Sequence, residues 1–422
     1  TLRANIDHQA TKWLKTGITA NLSRTKQQIG LSDGFDAVTS TVLYNSPATP
    51  VKDIYGNFIS TNVIGGSTFG NPNNPVALAN LRDETHKTSR AFGSLYADLN
   101  IIDGLVIRSE GNFDFSLSAD KAFQPYVYNE VTKSVIISPA RLRDQRQNTL
   151  YWALKNYANY NKTFGKHSLG ATLGHEAQRS TYDMISGRRD NLKLNIPNLN
   201  AGDGGDTQDI QANASTWSME SVFARLNYTF DNRYAISGTI RRDGSSNFGA
   251  GQKWGTFPAV SASWTVSNES FLKENKYINY LKFRFGYGEV GGQDAGGGNL
   301  YSSNITLFGT APFGPGGLPA NVANPLITWQ SVNTYNGGID LSTWNKKLEL
   351  SVDFYKKITS NMILPTQLGA YSGLGTAWND IKTPITNAGR MTNTGVDIGL
   401  TSYNIQNNNF SWKTNIIFSR YK

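Results

Sequence analysis

The stretch SVFARLNYTFDNRYAISGTI, residues 221–240, decides the fold. Val222, Ala224, Leu226, Tyr228 and Phe230 alternate with Ser221, Phe223, Arg225, Asn227 and Thr229. Asp231-Asn232-Arg233 interrupts, and Tyr234, Ile236, Gly238 and Ile240 resume the pattern against Ala235, Ser237 and Thr239. Successive strand side chains point to opposite faces, so this period of two predicts a hairpin with one apolar and one polar face.

The same reading extends along the chain. Leu2, Ala4, Ile6 and His8 alternate with Arg3, Asn5, Asp7 and Gln9, and Leu95, Ala97, Leu99 and Ile101 lead to the turn Asp103-Gly104. Further strands run through Ile107–Leu117, Leu150–Ala158, Leu169–Leu173, Val260–Val266, Leu281–Tyr287, Tyr335–Leu341, Leu348–Phe354, Val396–Leu400 and Phe410–Phe418. The pattern predicts about 14 strands. Short links fall near 12–15, 103–104, 165–167, 231–233, 267–279, 345–346 and 404–409, and Ser267-Asn268-Glu269 reads as the cap of one short helix. Long links span 29–89, 118–147, 180–216, 243–257, 289–328 and 361–388. Short and long links in alternation are those of an antiparallel up-and-down transmembrane β-barrel.

The faces say what each side touches. Mid-strand charges (Arg108, Glu110, Arg225, Arg241, Arg284, Asp340, Glu349, Asp353, Asp397) share the polar face, where a water-filled lumen would solvate them. The other face is apolar and ends near the short turns in Tyr228, Phe230, Tyr234, Trp264, Trp344, Phe410 and Trp412, the pattern of an interfacial girdle. The competing soluble two-sheet protein would use strands of about 5–6 residues, and these run longer. The first strand enters a short turn and the last leaves one, so both ends fall on the long-link side. The expectation is an internal fragment, residues 1–422 forming part of a barrel whose remaining strands lie elsewhere.

Composition agrees. Aromatic residues make up 12% and charged residues only 17%, with 41 glycines, a balance that suits strands and turns. No apolar run approaches the about 18 residues of a membrane helix, which says nothing against membrane strands. The net charge of +9 comes from scattered Lys and Arg, not from the basic stripe that a nucleic acid demands. There is no cysteine, and the opening residues carry no signal-peptide pattern.

Several motifs invite chemistry and have plainer readings. Asp243-Gly244-Ser245-Ser246 reads as a rim turn, with Asp and Ser bonding nearby backbone and Gly supplying positive φ. Gly249-Ala250-Gly251 and Gly291-Gly292 lack the strand–turn–helix context of a phosphate loop. Asp203, Asp206 and Asp209 lack EF-hand spacing, and His8, His86, His167 and His175 lack metal-ligand spacing, so neither metal nor cofactor is expected. His8 and His175 fall on the lipid-facing register. No Ser/His/Asp set stands out, and the protein is not expected to be an enzyme.

The blocks 241–272, 281–293, 324–357, 387–400 and the opening residues, with their DGSS-x-F-G, W-G-x-F-P and N-x-G-V-[DE] elements, resemble the SusC/RagA-like TonB-dependent outer-membrane transporters. In that resemblance Asp243, Gly244, Ser245, Ser246, Trp254, Phe257 and Pro258 are structural motif residues. The resemblance implies a barrel of about 22 strands, an N-terminal plug absent from this chain, and the outer membrane of a Gram-negative bacterium. It also implies import of bulky nutrients, glycans first and peptides second, with a SusD-like lipoprotein lid and the TonB complex as partners. A passive porin or an adhesin barrel is the alternative. Three loop clusters offer aromatic faces for sugar rings or apolar side chains: Phe123, Tyr126 and Tyr128; Tyr301, Phe308 and Phe313; Tyr371, Trp378 and Asp380.

Overall fold

The computed structural model describes residues 1–29, 38–44, 50–59, 74–131, 133–137, 139–192, 195–202, 208–273, 275–293, 301–308, 316–366, 369, 372, 374 and 381–422. Its strands are β1 (Leu2–Gln9), β2 (Leu14–Gln28), β3 (Asp83–Ile102), β4 (Leu105–Gln124), β5 (Val127–Asn129), β6 (Ser134–Ile137), β7 (Arg141–Phe164), β8 (His167–Asp190) and β9 (Gln208–Phe230). They continue with β10 (Tyr234–Ser245), β11 (Trp254–Thr265), β12 (Ile278–Gly292), β13 (Ile305–Phe308), β14 (Gly316–Pro319), β15 (Gln330–Thr343), β16 (Leu348–Pro365), β17 (Ile385–Gln406) and β18 (Ser411–Tyr421). Helices α1 (Val38–Tyr44) and α2 (Pro75–Leu81) lie in the first long link. Among the described residues no helix is long and apolar enough to cross a membrane.

Fourteen of these strands form one antiparallel sheet in the order β1-β2-β3-β4-β7-β8-β9-β10-β11-β12-β15-β16-β17-β18. Each strand pairs with the next one in sequence, skipping only the two small hairpins β5–β6 and β13–β14 inside long links. The expected strand number and every short link are present. The long links are shorter than the alternation predicts. β8 runs to Asp190 and β9 begins at Gln208, and most other strands bordering long links overrun likewise, β2 and β15 excepted. In these outer segments, such as TYDMISGRRD, both faces turn polar, so the alternation fades while the backbone ladder continues.

The register keeps the two faces separate across the whole sheet. Leu226 faces Ala171 on one side and Gly238 on the other, and Arg225 faces Thr172 and Thr239. The apolar face is open, with Leu226 60%, Ile236 52% and Phe285 64% exposed. Among the described residues no second layer covers it, which overturns any two-sheet sandwich. On the polar face, Tyr96, Phe223 and Tyr355 lie across Gly17, Gly174 and Gly395, where any Cβ would collide with the ring. These are cross-strand pairs in which an aromatic covers a glycine, each at directly opposed positions.

Buried apolar side chains gather at the long-link end, in three small clusters. Phe248, Phe257, Ile327, Trp329 and Ile363 form one, Ala77, Leu78, Ile136 and Ile137 a second, and Ala140, Leu142 and Leu192 a third. The second pins α2 to β6. Asn74 caps α2 by accepting from the Val76 and Ala77 N–H groups, while its amide donates to the Val51 and Ile59 carbonyls.

Candidate functional site

The polar face is wired strand to strand. Arg108 on β4 donates twice to Asp98 on β3, at 2.5 and 2.6 Å, and lies 4.3 Å from the Tyr96 ring centre. Arg241 on β10 bonds Asp243 at 2.7 Å and reaches Ser221 (2.8 Å) on β9 and Glu176 (3.2 Å) on β8. Arg284 on β12 forks between Asp340 on β15 (2.7 and 2.9 Å) and Asp353 on β16 (3.0 and 3.1 Å). Planar guanidinium forks suit such bidentate pairs, and pairing satisfies charge without removing polarity. The result is a wettable wall. His86 sits between Asp120 and the Thr88 hydroxyl (2.7 Å), which also meets Ser118 at 3.2 Å, so an acid, an imidazole and two hydroxyls continue this wiring. Sequence reading missed that row because its members sit at the far ends of the long β3–β4 hairpin and meet only through register.

The short-turn end carries the girdle expected from the sequence, and more. His167 stacks on Phe164 and lies 6.0 Å from Tyr228 and 5.0 Å from Phe230. Phe230 stacks on Tyr234, Tyr234 on Trp264, and Trp264 meets Phe283 at 6.2 Å, giving a continuous belt across β7 to β12. His8 keeps its place beside Ile6 on the apolar register, and so does His175, which lies well up β8 from this belt and bonds Glu220 at 3.0 Å. The belt's anchor is Glu269, which the sequence reading had assigned to a helix cap. It accepts from Arg233 (2.7 Å), the Tyr234 hydroxyl (2.5 Å) and the Trp264 indole N–H (3.0 Å). Those hydrogen bonds, Tyr234's first, hold its carboxyl below the ordinary range. The expected helix there is a single 3-10 turn, Val266–Asn268, with no side chain capping its start. Glu269 serves the girdle instead.

At the long-link end the rim turn expected at Asp243-Gly244-Ser245-Ser246 needs correction. Asp243, Gly244 and Ser245 are the last residues of β10, and Gly244 has no positive φ. It is glycine because the Trp254 indole occupies the place of a Cβ. The turn chemistry starts later, where Ser245 Oγ accepts from Asn247 N and Ser246 Oγ from Ser218 N. Phe257 packs edge-on to Trp329 in the first cluster. Pro258 has no N–H, and the β11–β12 ladder begins just beyond it at Ala259–Gly288.

The loop candidates fare unevenly. Phe123 is not in a loop: it ends β4 and packs on the Ala140–Leu142–Leu192 cluster. Tyr126 stands exposed, its backbone clasped by the Asn195 amide through two bonds of 2.7 Å, and Tyr128 lies exposed on β5. Tyr301 packs against the Phe248–Trp329 cluster. Phe308 is on β13, but its side chain lies outside the described residues, as do Phe313, Tyr371, Trp378 and Asp380. Asp203 and Asp206 are also outside them, and Asp209 belongs to β9, bonded to Gln211. Among the described residues no group of acids and histidines could hold a metal.

With this geometry in hand, known proteins offer close parallels. The family described as TonB dependent receptor-like, beta-barrel matches residues 22–422. TonB-dependent receptor P3 of Formosa agariphila is 28% identical over all of this chain and 42% of its own length. TonB-dependent receptor SusC of Bacteroides thetaiotaomicron is 24% identical, over 81% of this chain and 33% of its own length. The chain therefore spans less than half the length of these curated relatives. Among solved structures, the RagAB peptide importer in its closed-closed state superposes with a TM-score of 0.84 at 21% identity, covering 99% of this chain and 46% of that one. The outer membrane transporter YddB of Escherichia coli gives 0.58 at 9% identity, covering 98% and 46%. The fourteen-strand wall with its two faces is thus a known architecture, and the chain belongs to the TonB-dependent receptor β-barrel family, in which it resembles the SusC/RagA-like receptors.

Proposed function

We propose that this chain forms part of the barrel wall of a TonB-dependent outer-membrane importer of bulky nutrients, its paired-charge face toward the lumen and its apolar face toward lipid. The observation that carries the reading is the division of faces through the middle of the fourteen-strand sheet, apolar and exposed on one side, polar with strand-to-strand ion pairs on the other. An exposed apolar surface of this extent needs lipid or a partner to cover it. Glycan oligomers are the first substrate class. Peptides are the second, supported by the likeness to the RagAB peptide importer. A SusD-like surface lipoprotein and the TonB complex complete the proposed machine, and Tyr126 and Tyr128 are its proposed cargo contacts within the described loops.

The test is uptake of fluorescent oligosaccharides and oligopeptides by cells carrying the intact gene, with and without tonB. Uptake of one class that vanishes on tonB deletion supports the proposal and names the class. Uptake indifferent to tonB moves the protein to the passive porins, and surface attachment without uptake moves it to the adhesins.

A further inference from the structure

At the outer, long-link end of β2 and β3 the apolar face turns basic. Ile18 and Leu22 on β2 give way to Arg24 and Lys26 on the same register. Arg24 stands about ten residues of strand beyond Leu14, the length that crosses a bilayer. Lys26 lies directly opposite Lys87 of β3 in the ladder. Like charges so placed repel unless a counter-charge lies between them. Among the described residues neither lysine has an acidic partner within 4.0 Å, and neither has Arg24. The same row continues through Ala119 to Arg146 on β7, whose guanidinium is held by Asp144 at 3.0 Å.

Beside the opposed lysines runs a shallow groove of about 920 Å³, lined by Arg24, Lys87 and Arg146. Ser89, Ala119 and Ala212 leave room along it between the apolar Leu117 and Ile185, and Asn148 and the Asp183 carboxylate are its polar groups. Arg24, Lys87 and Arg146 thus line the groove against the single carboxylate of Asp183, with Lys26 beside it across from Lys87.

We propose that the outer ends of β2, β3, β7 and β8 hold the phosphorylated sugar head of an outer-leaflet glycolipid. Its phosphate bridges Lys26, Lys87 and Arg24, relieving the opposed pair, and its sugars lie along the groove toward Asn148 and Arg146. Phosphate oxygens take charge-assisted hydrogen bonds from all three basic side chains. Basic residues at a membrane surface bind anionic lipid with roughly fivefold gain each. The inference rests on the lipid-facing reading of this face.

The experiment uses the gene product purified from outer membranes in mild detergent, with bound lipid counted by native mass spectrometry. The probes are monophosphoryl lipid A, its dephosphorylated form, phosphatidylglycerol and inorganic phosphate. The wild type should retain monophosphoryl lipid A in preference to the other three. Lys26→Ser with Lys87→Ser should weaken it about twenty-fivefold, two fivefold losses combined. Lys26→Arg with Lys87→Arg should keep it, and Lys87→Gln alone, for use if the double variant fails to assemble, should lose about fivefold. Undiminished retention in the serine variant overturns the proposal. So does phosphate or phosphatidylglycerol binding as tightly as the glycolipid, which would make this a general anion or anionic-lipid site. A spin label at Leu226→Cys separates the two readings. Oxygen-accessible, lipid-like behaviour there with no glycolipid binding sinks only this inference, whereas water-like behaviour sinks the lipid-facing assignment itself.

Discussion

Replacing Leu226 by Arg tests which face meets lipid. Leu226 is exposed on the apolar face between Ala171 and Gly238, small neighbours that offer an incoming guanidinium no partner. It lies on the same strand as Phe230 of the aromatic belt. At about 3.4 Å per residue and a tilt of about 40°, the intervening strand climbs about 10 Å, close to the middle of an apolar band about 25 Å tall. Arg at that depth should cost about 2–4 kcal/mol. Arg225→Leu, one position away on the opposite face, gives up a 3.0 Å hydrogen bond to Asn227. That loss should cost about 1 kcal/mol. Urea unfolding of the gene product in phospholipid bilayers, followed by tryptophan fluorescence, gives both numbers. Equal costs, or the larger cost at Arg225, would refute the assignment of faces.

Other expectations follow from single sites. Gly291→Ala should drive a methyl into the Phe257 ring and loosen the Phe248–Trp329 cluster by about 1–3 kcal/mol, seen as a change in near-ultraviolet dichroism and partly relieved by Phe257→Leu. Glu269 titrates below the ordinary glutamate value of 4.5 when folded, so its contribution is present above that value and is lost as pH falls through the depressed one. Asp231, held low by Lys166, behaves alike. The urea midpoint should therefore fall as pH drops below 4.5, and Glu269→Gln should flatten that fall. Asn74→Ala removes the α2 cap and leaves the Val51 and Ile59 carbonyls without their donor. About 1–2 kcal/mol should be lost, with faster amide exchange at Asp53 and Ile59.

The sheet was legible because one face is apolar and the other polar through the middle of most strands, which gives a period of two such as that between Val222 and Phe230. Where the chain leaves the apolar band, as in Thr181–Asp190, neither solvent distinguishes the faces, so the strands ran on unseen. The polar wiring was half visible. Arg241 and Asp243 sit two apart on one strand, but Arg284 finds Asp340 and Asp353 only through register. Glu269 was hidden for the same reason: its three donors come from β11, from β10 and from the turn before β10. Gly244 was misread because a local turn rule was applied to a residue whose constraint is a tryptophan on the neighbouring strand.

On the proposed reading of the polar face as a lumen wall, the rings laid over Gly17, Gly174 and Gly395 bear on what could pass it. A tyrosine or phenylalanine standing up from a barrel's inner surface would narrow the bore by its full length. Here each lies flat in a notch cut by the missing Cβ of the strand beside it. The clearance for cargo is thus governed by glycines, residues that never touch it. Enlarging one of them would raise its ring like a turnstile arm across the path, so gauge variants of this pore should be sought at positions with no side chain at all.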